Sequence, residues 1–202
     1  MKCKICKKEN TKLIFDFGKI PAVNNFIFEN EVTNEKIYNL KLYICQNCWL
    51  LQLSDVPKPE ILFEHYHHIS GASKGNVNHL NEVSLFLKKN YSKKKKVLEV
   101  GCNDGTLLTF LVKLGFECSG VDPAKNIYQD SSIKIYKDFY NLKFIKKFIL
   151  NKEFFDLIIG LNVFAHNDAF MEMFEASSRI LSEDGIFITE VAYLPSTIGS
   201  GN

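Results

Sequence analysis

The sequence predicts an α/β chain in which a small β-rich module precedes a parallel sheet covered by helices on both faces. From Val97 onward, short apolar segments alternate with longer amphipathic ones, which is the pattern of repeated β-α units. The first eighty residues differ, because they hold most of the cysteines and prolines and only short apolar runs. We therefore divide the chain into a module at residues 1–77 and an α/β domain at residues 78–202.

The module contains three short apolar runs separated by turn-forming residues, which predict strands at 12–17, 39–45 and 49–56. A helix joining the domains is predicted at 78–90, where Leu80, Val83 and Leu87 recur at helical spacing. The following strands are mostly apolar, as in buried parallel sheets, and are predicted at 97–102, 116–122, 133–137, 155–163 and 185–193. Helices are predicted between them, at 105–114, 124–130, 141–151 and 168–182.

Composition argues against several classes of protein. The net charge is +2 and Arg179 is the only arginine, whereas phosphate and base recognition depend on arginine. We therefore expect no nucleic-acid partner. No window has 18 uninterrupted apolar residues, so no membrane span is expected. The N-terminal MKCKICKKEN is not a secretion signal. Six cysteines in such a chain indicate reduced thiols or metal ligands, and hence a cytoplasmic protein.

Two Cys-x-x-Cys pairs indicate a metal site. Each two-residue gap lets both thiolates of a turn reach one ion, and two such turns complete a tetrahedral zinc site. The four predicted ligands are Cys3, Cys6, Cys45 and Cys48. Because all four would come from the protein, the zinc would be structural. The alternatives are four unrelated cysteines or a redox pair.

The segment VLEVGCNDGTLLTFL at 97–111 predicts a ligand-binding turn. Gly101 and Gly105 flank the turn after the first strand of the domain, and Asp122 ends the second strand. In a doubly wound sheet, this arrangement places a glycine turn against a nucleoside and a carboxylate near its ribose hydroxyls. The alternative is a tight strand-to-helix turn without a ligand.

Two side chains in this turn favour one class of cofactor. Asn103 and Asp104 crowd the positions that would approach a pyrophosphate, and Asp104 is anionic. A cationic cofactor without phosphate fits better, and S-adenosylmethionine carries an ammonium and a sulfonium. Glu99 adds a carboxylate near the amino-acid end of such a cofactor.

Further candidates for cofactor binding follow the third and fourth strands of the domain, where the loops face the same crevice. These candidates are Asp138, Phe139, Asn162, Phe164 and His166. We expect the amide of Asn162 to bond a carbonyl or ribose and the ring of Phe164 to cover an adenine. His166 could equally be a packed or solvent-exposed histidine.

The motifs of the chain together resemble a known family, and they cover nearly all 202 residues. Besides the cysteine pairs, they are FGKIPAVNNF (17–26), CWLLQL (48–53), EHYHHISGAS (64–73), EVGCNDGTLL (99–108), GVDPA (120–124) and LNVFAHN (161–167). The chain resembles the sugar C-methyltransferases, in which a zinc-binding module precedes a Rossmann-like class I S-adenosylmethionine-dependent methyltransferase domain.

The resemblance implies transfer of a methyl group to a carbon of a nucleotide-linked keto-deoxysugar. It also implies that Tyr66 and His68 are catalytic and that Pro123 helps bind the cofactor. Without the resemblance, EHYHHIS would be interpreted as a polar interdomain loop or a weak second metal site. The family's later Tyr-His-Glu-His motif, whose histidine resembles a catalytic base, has no match in these residues. Its last two sheet strands have none either, so we expect an incomplete sheet of about five strands and weak activity from this chain alone.

Two alternatives remain open. The first is a non-catalytic binding module built from a zinc ribbon and a degenerate Rossmann-like domain. The second is an RNA methyltransferase, which the single arginine, the near-neutral charge and the lack of an N/D-P-P-Y/F motif disfavour.

Overall fold

The computed structural model describes residues 1–127 and 132–200. Contacts between residues divide the chain into two compact units, Met1–His67 and His68–Asn202. The domain boundary expected after residue 77 from the sequence stays a prediction.

The first unit is built on a three-stranded antiparallel sheet. Its strands are β1 (Thr11–Pro21), β2 (Ile37–Cys45) and β3 (Leu51–Leu53), in that spatial order. Two register shifts interrupt the pairing of β1 with β2. A short helix, α1 (Pro59–Phe63), follows the sheet and begins with proline at its first position, where no backbone N–H is needed.

The second unit is a five-stranded parallel sheet with helices between the strands. The strands are β4 (Lys96–Val100), β5 (Glu117–Val121), β6 (Lys134–Tyr136), β7 (Phe155–Leu161) and β8 (Leu181–Glu190). The helices are α2 (Lys74–Tyr91), α3 (Thr106–Lys113), α4 (Leu142–Leu150), α5 (Phe170–Ile180) and α6 (Leu194–Ser200). This architecture confirms the predicted fold class.

Both faces of this sheet are buried, which explains why its strands read as continuous apolar runs. Successive residues of a strand point to opposite faces. Leu157 and Ile159 of β7 pack with α2 and α3, whereas the intervening Ile158 packs with α4 and α5. The larger cluster is rich in aromatic side chains, and Phe148 contacts Phe144 and Phe155 edge to face.

The strand order places a crevice at one position on the sheet edge. The order is β6-β5-β4-β7-β8. After β4, the chain adds β5 and β6 on one side of β4, and it then crosses to the other side to add β7 and β8. Ligands in open α/β sheets bind where this reversal occurs, outside the carboxyl ends of the strands. The loops after β4 and β7 therefore line the expected site.

The helices α1 and α6 were not predicted, and two predicted elements differ from the structure. Within the helix predicted at 124–130, residues 124–127 are non-helical and the rest lies outside the described residues. The ammonium of Lys137 donates to the carbonyls of Lys125 and Ile127. These two carbonyls thus accept from a side chain, whereas in a helix they would accept from backbone N–H groups. Strand β8 begins at Leu181, earlier than predicted, because Leu181 pairs with Phe155 before a register irregularity.

Among the helices that lie within the described residues, none is long and apolar enough to cross a membrane.

We expect the sheet core to dominate the stability of the second unit. Leu111 on α3 is fully buried, whereas Leu150 at the end of α4 is 82% exposed. Leu111→Ala should lower the free energy of unfolding by about 2–5 kcal/mol, through lost burial and the cavity that remains. Leu150→Ala should change it by less than about 0.5 kcal/mol. Denaturant titration of both variants measures the difference, and equal effects would contradict this location of the core.

Candidate functional site

A turn with three left-handed residues follows β4 at the crevice. Gly101, Asn103 and Gly105 have φ angles of 68°, 53° and 81°, a region that glycine and asparagine tolerate best. A Cβ atom on Gly101 would lie 2.4 Å from Cγ2 of Val163, in the loop after β7. Gly101 is thus required both by its backbone angle and by the close approach of the two loops.

A buried carboxylate fixes this turn. The backbone N–H of Asn103 donates to Oδ2 of Asp122 at 2.9 Å, and the N–H of Ala124 donates to Oδ1 at 2.8 Å. Burial raises the pKa of Asp122, although these two hydrogen bonds act to lower it. Each carboxylate oxygen has further lone pairs, so Asp122 retains the capacity to accept bonds from ribose hydroxyls.

Glu99 is a second buried carboxylate, near the end of β4. Its side chain is 5% exposed, and its Oε2 atom has no hydrogen-bond partner among the described residues. Burial raises the pKa of Glu99 well above its usual range, and the negative charges of Asp122 and Asp104 raise it further. A cationic group at the crevice would offset these unfavourable charges. The carboxylates beside the turn therefore fit the charge of S-adenosylmethionine.

The side chains of Asn103 and Asp104 contact the protein backbone. Asn103 Oδ1 accepts from the N–H of Ser70 at 2.9 Å, and Asn103 Nδ2 donates to the carbonyl of His68 at 3.0 Å. Asp104 Oδ2 accepts from the N–H of Gly71 at 2.8 Å. The assignment of Asn103 and Asp104 to cofactor binding stays a prediction. The sequence held no signal that residues 68–71 would be their hydrogen-bond partners.

The predicted residues after β7 differ in their environments. Asn162 has a φ of 56° and donates from Nδ2 to Oε1 of Glu190 at 3.1 Å. Phe164 is buried in the core, and its ring stacks on that of Phe174 with centroids 5.1 Å apart. His166 is exposed and ends a 3₁₀ turn. The assignment of these three residues to cofactor binding stays a prediction.

The remaining cofactor candidates lie after β5 and β6, at the same sheet edge. Pro123 is half-buried and directly follows Asp122. Asp138 is exposed, and its Oδ1 accepts from the N–H of Phe139 at 2.8 Å. The ring of Phe139 is half-buried. Their roles also stay predictions.

One pair of polar side chains at this edge was missed from the sequence. Nε2 of His79, on α2, lies 2.8 Å from Oε2 of Glu190 at the end of β8. The position of Glu190 at a strand end was a usable signal, since Asp122 was found in that way. The sequence held no such signal for His79, because it lies within helix α2, 111 residues before Glu190.

The two predicted catalytic residues belong to different units. Tyr66 lies in the first unit, where its ring is tilted against that of Phe63. His68 opens the second unit and is exposed. The structure thus connects His68 to the turn after β4 through its carbonyl, and the catalytic roles of both residues stay predictions.

The four cysteines of the first unit form a compact cluster. The Sγ atoms of Cys3 and Cys48 are 3.5 Å apart, those of Cys6 and Cys45 are 3.6 Å apart, and all four lie within 4.8 Å of one another. A tetrahedral zinc site with bonds of about 2.3 Å needs sulfur–sulfur distances of roughly 3.8 Å. The cluster fits zinc, and four thiolates leave no open position for catalysis.

The two cysteine turns have the same local structure. Four residues after the first cysteine of each pair, Lys7 and Trp49 have φ angles of 61° and 64°. The N–H of Lys7 donates to the carbonyl of Cys3, and that of Trp49 donates to the carbonyl of Cys45. Two equivalent turns thus present their thiols to one point.

Comparison with known proteins agrees with this architecture. Residues 78–197 match a family of methyltransferase domains, and residues 3–63 match a family of zinc-binding domains. The match to the methyltransferase domains covers more than half of the length of this chain, and the chain therefore belongs to that family. The first match agrees with the predicted Rossmann-like methyltransferase domain, and the second match, together with the four-cysteine cluster, supports a structural zinc ion.

Individual relatives extend the comparison. The C-methyltransferase NovU of Streptomyces niveus is 26% identical over 198 residues, which are 95% of this chain and 47% of that protein. The chain thus spans about half the length of this curated relative. The PH0226 protein of Pyrococcus horikoshii OT3 has a similar fold, with a TM-score of 0.50 and 19% identity over 65% of this chain and 61% of that one.

We expect the cysteine cluster to bind one zinc ion per chain. Cys45→Ser removes one thiolate of the four, so the purified variant should lose most of its zinc and unfold at a lower temperature, because structural zinc contributes directly to folding. The matched control is Cys118→Ser, which changes a half-buried thiol in β5 of the second unit. Metal analysis should find unchanged zinc in the control, and zinc retained by Cys45→Ser would contradict the assignment.

Proposed function

We propose that this chain binds S-adenosylmethionine at the carboxyl ends of β4 and β5 and takes part in methylating a carbon of a nucleotide-linked keto-deoxysugar. The observation that carries the cofactor assignment is the buried pair of Glu99 and Asp122 beside the left-handed turn. The similarity to the C-methyltransferase NovU over nearly the whole chain supports methylation of a carbon, and the resemblance of the sequence motifs to sugar C-methyltransferases supports the sugar substrate.

The charges around the turn favour this cofactor over a dinucleotide. Glu99, Asp104 and Asp122 place three carboxylates near the crevice, and the described part of the turn contributes no cationic side chain. A pyrophosphate would be repelled by these groups, whereas an ammonium or sulfonium would be attracted. We assign Asp122 to the ribose hydroxyls and Glu99 to the amino-acid end of the cofactor.

The proposed reaction requires one proton transfer and one methyl transfer. S-adenosylmethionine, when bound, supplies an electrophilic methyl group on a positively charged sulfur. Methylation of the carbon next to the ketone would require that carbon to lose a proton and the ketone oxygen to be held as an enolate, while the electron pair of the carbon–sulfur bond would remain on the sulfur of the cofactor. Tyr66 and His68 are proposed to hold the enolate oxygen and to assist the proton transfer.

The partners and the location follow from the same chemistry. The chain has one arginine and a net charge of +2, which supports a small-molecule substrate over RNA. Thiolate ligands have to remain reduced to bind zinc, which supports a cytoplasmic location for the protein.

Calorimetric titration with S-adenosylhomocysteine tests the cofactor site. Asp122→Asn should raise the Kd about ten- to a hundredfold, since hydrogen bonds to a charged group are lost. The matched control is Asp156→Asn, because Asp156 is the second residue of β7, at the opposite edge of the sheet, and accepts from the N–H groups of Lys95 and Lys96. Its Kd should stay within about twofold of wild type. Absence of binding by the wild-type protein would refute the proposal.

Transfer of a labelled methyl group tests the substrate class. The protein is incubated with methyl-labelled S-adenosylmethionine and either a nucleotide-linked keto-deoxysugar or RNA. Because weak activity is expected from this chain alone, we expect slow incorporation of label into the sugar nucleotide, on the carbon next to the ketone, and none into RNA. His68→Ala should reduce the rate while leaving the Kd for S-adenosylhomocysteine near the wild-type value. Label on a sugar oxygen, or in RNA, would contradict carbon methylation.

A further inference from the structure

The turn after β4 holds a second segment of the chain through the side chains of Asn103 and Asp104. Three hydrogen bonds, of 2.8 to 3.0 Å, connect Asn103 and Asp104 to the backbone of residues 68–71. We call these four residues the His68 segment. A fourth bond, from Nδ2 of Asn76 to the carbonyl of Ser70, ties the same segment to α2.

We propose that Asn103 and Asp104 are positioning residues that fix the His68 segment against the cofactor turn and couple its order to cofactor binding. The coupling rests on the proposed function, because it assumes that S-adenosylmethionine occupies the turn. The positioning itself does not, since it rests only on hydrogen bonds within the chain.

The chemistry of Asn103 matches this role. Its carboxamide has both an acceptor and a donor, and it uses the acceptor on the N–H of Ser70 and the donor on the carbonyl of His68. An aspartate could not donate, and a glycine could reach neither group. The side chain is 6% exposed, so these bonds are shielded from competition with water.

The chemistry of Asp104 and Gly71 is equally specific. Oδ1 of Asp104 accepts from the N–H and hydroxyl of Thr106, which orients the carboxylate so that Oδ2 meets the N–H of Gly71. A Cβ atom on Gly71 would lie 2.7 Å from Oδ2 of Asp104 and 2.9 Å from Oγ1 of Thr106. Glycine at this position therefore permits the close approach of the segment.

The same residue joins the segment to the predicted ribose site. The backbone N–H of Asn103 bonds Asp122, while its side chain bonds the His68 segment. A ligand that engages Asp122 and a segment that engages the carboxamide therefore both stabilise one conformation of one residue. Coupling between two such events is reciprocal, so cofactor binding should order the segment and the ordered segment should favour cofactor binding.

Amide hydrogen exchange at single residues tests the positioning. Asn103→Gly removes the carboxamide but keeps the left-handed backbone and the bond to Asp122. In ligand-free protein, exchange at Ser70 and Gly71 should become at least about tenfold faster, because their acceptors are lost or displaced. The matched control is Asn24→Gly, at an exposed asparagine with a φ of 60°. Exchange at Ser70 and Gly71 should stay at the wild-type rate in this control.

A second variant separates positioning from general unfolding. Asp104→Ala should accelerate exchange at Gly71 much more than at Ser70, whereas a destabilised fold would affect both amides and the sheet. Wild-type exchange rates at Ser70 in Asn103→Gly, or at Gly71 in Asp104→Ala, would overturn the positioning roles.

Addition of S-adenosylhomocysteine tests the coupling. In wild-type protein, it should slow exchange at Ser70 and Gly71 and shift the imidazole NMR signal of His68. In Asn103→Gly, the ligand should still bind, with a higher Kd, but leave both readouts nearly unchanged. Equal protection in the two proteins would overturn the coupling. If the wild type binds no ligand, the proposed function and the coupling fail together, while the ligand-free measurements still decide the positioning.

Discussion

The hydrogen bond from the N–H of Asn103 to Oδ2 of Asp122 is the contact on which the crevice depends. It joins the turn after β4 to the end of β5 through two groups that are both buried, where a hydrogen bond is stronger than in water. The turn can reach Asp122 because Gly101 and Asn103 adopt left-handed angles that most residues avoid. The position of Gly101 against Val163 then fixes the approach of the loop after β7.

The crevice formed in this way is electrostatically unfavourable without a ligand. Glu99 is buried with one oxygen unpaired among the described residues, and Asp122 and Asp104 raise its pKa further. For a carboxyl group whose pKa is raised by folding, the protonated form favours the folded state, and the stability contribution is lost as the pH rises through that pKa. A bound cation reverses this relation by favouring the ionised form. The buried carboxylates therefore lower the stability of the folded protein when they are ionised, and they increase its affinity for a positively charged cofactor.

The sequence predicts those parts of the structure that depend on local pattern. The apolar runs locate the eight strands found in residues 1–127 and 132–200. The Cys-x-x-Cys spacing identifies the metal cluster, because two-residue gaps have few geometric solutions. Contacts between distant residues are not predictable in this way. The carboxamide of Asn103 meets a segment 33 residues earlier, and His79 meets Glu190 across 111 residues. The early start of β8 likewise results from its pairing with Phe155, which local composition does not encode.

Asn103 and Asp104 stand where a phosphate-binding turn would have small residues. Their presence is compatible with a cationic cofactor, and it also provides side chains that hold the His68 segment. A turn that cradles a pyrophosphate needs exposed backbone N–H groups and little side-chain bulk. Here the N–H of Asn103 is already bonded to Asp122, and both side chains are used to hold the His68 segment. A phosphate-free, cationic cofactor tolerates this arrangement, since it needs carboxylates more than N–H donors. When the ligand carries no phosphate, Asn103 and Asp104 can use their side chains to position the His68 segment. A turn that binds phosphate could not hold this segment, because it has little side-chain bulk at these positions.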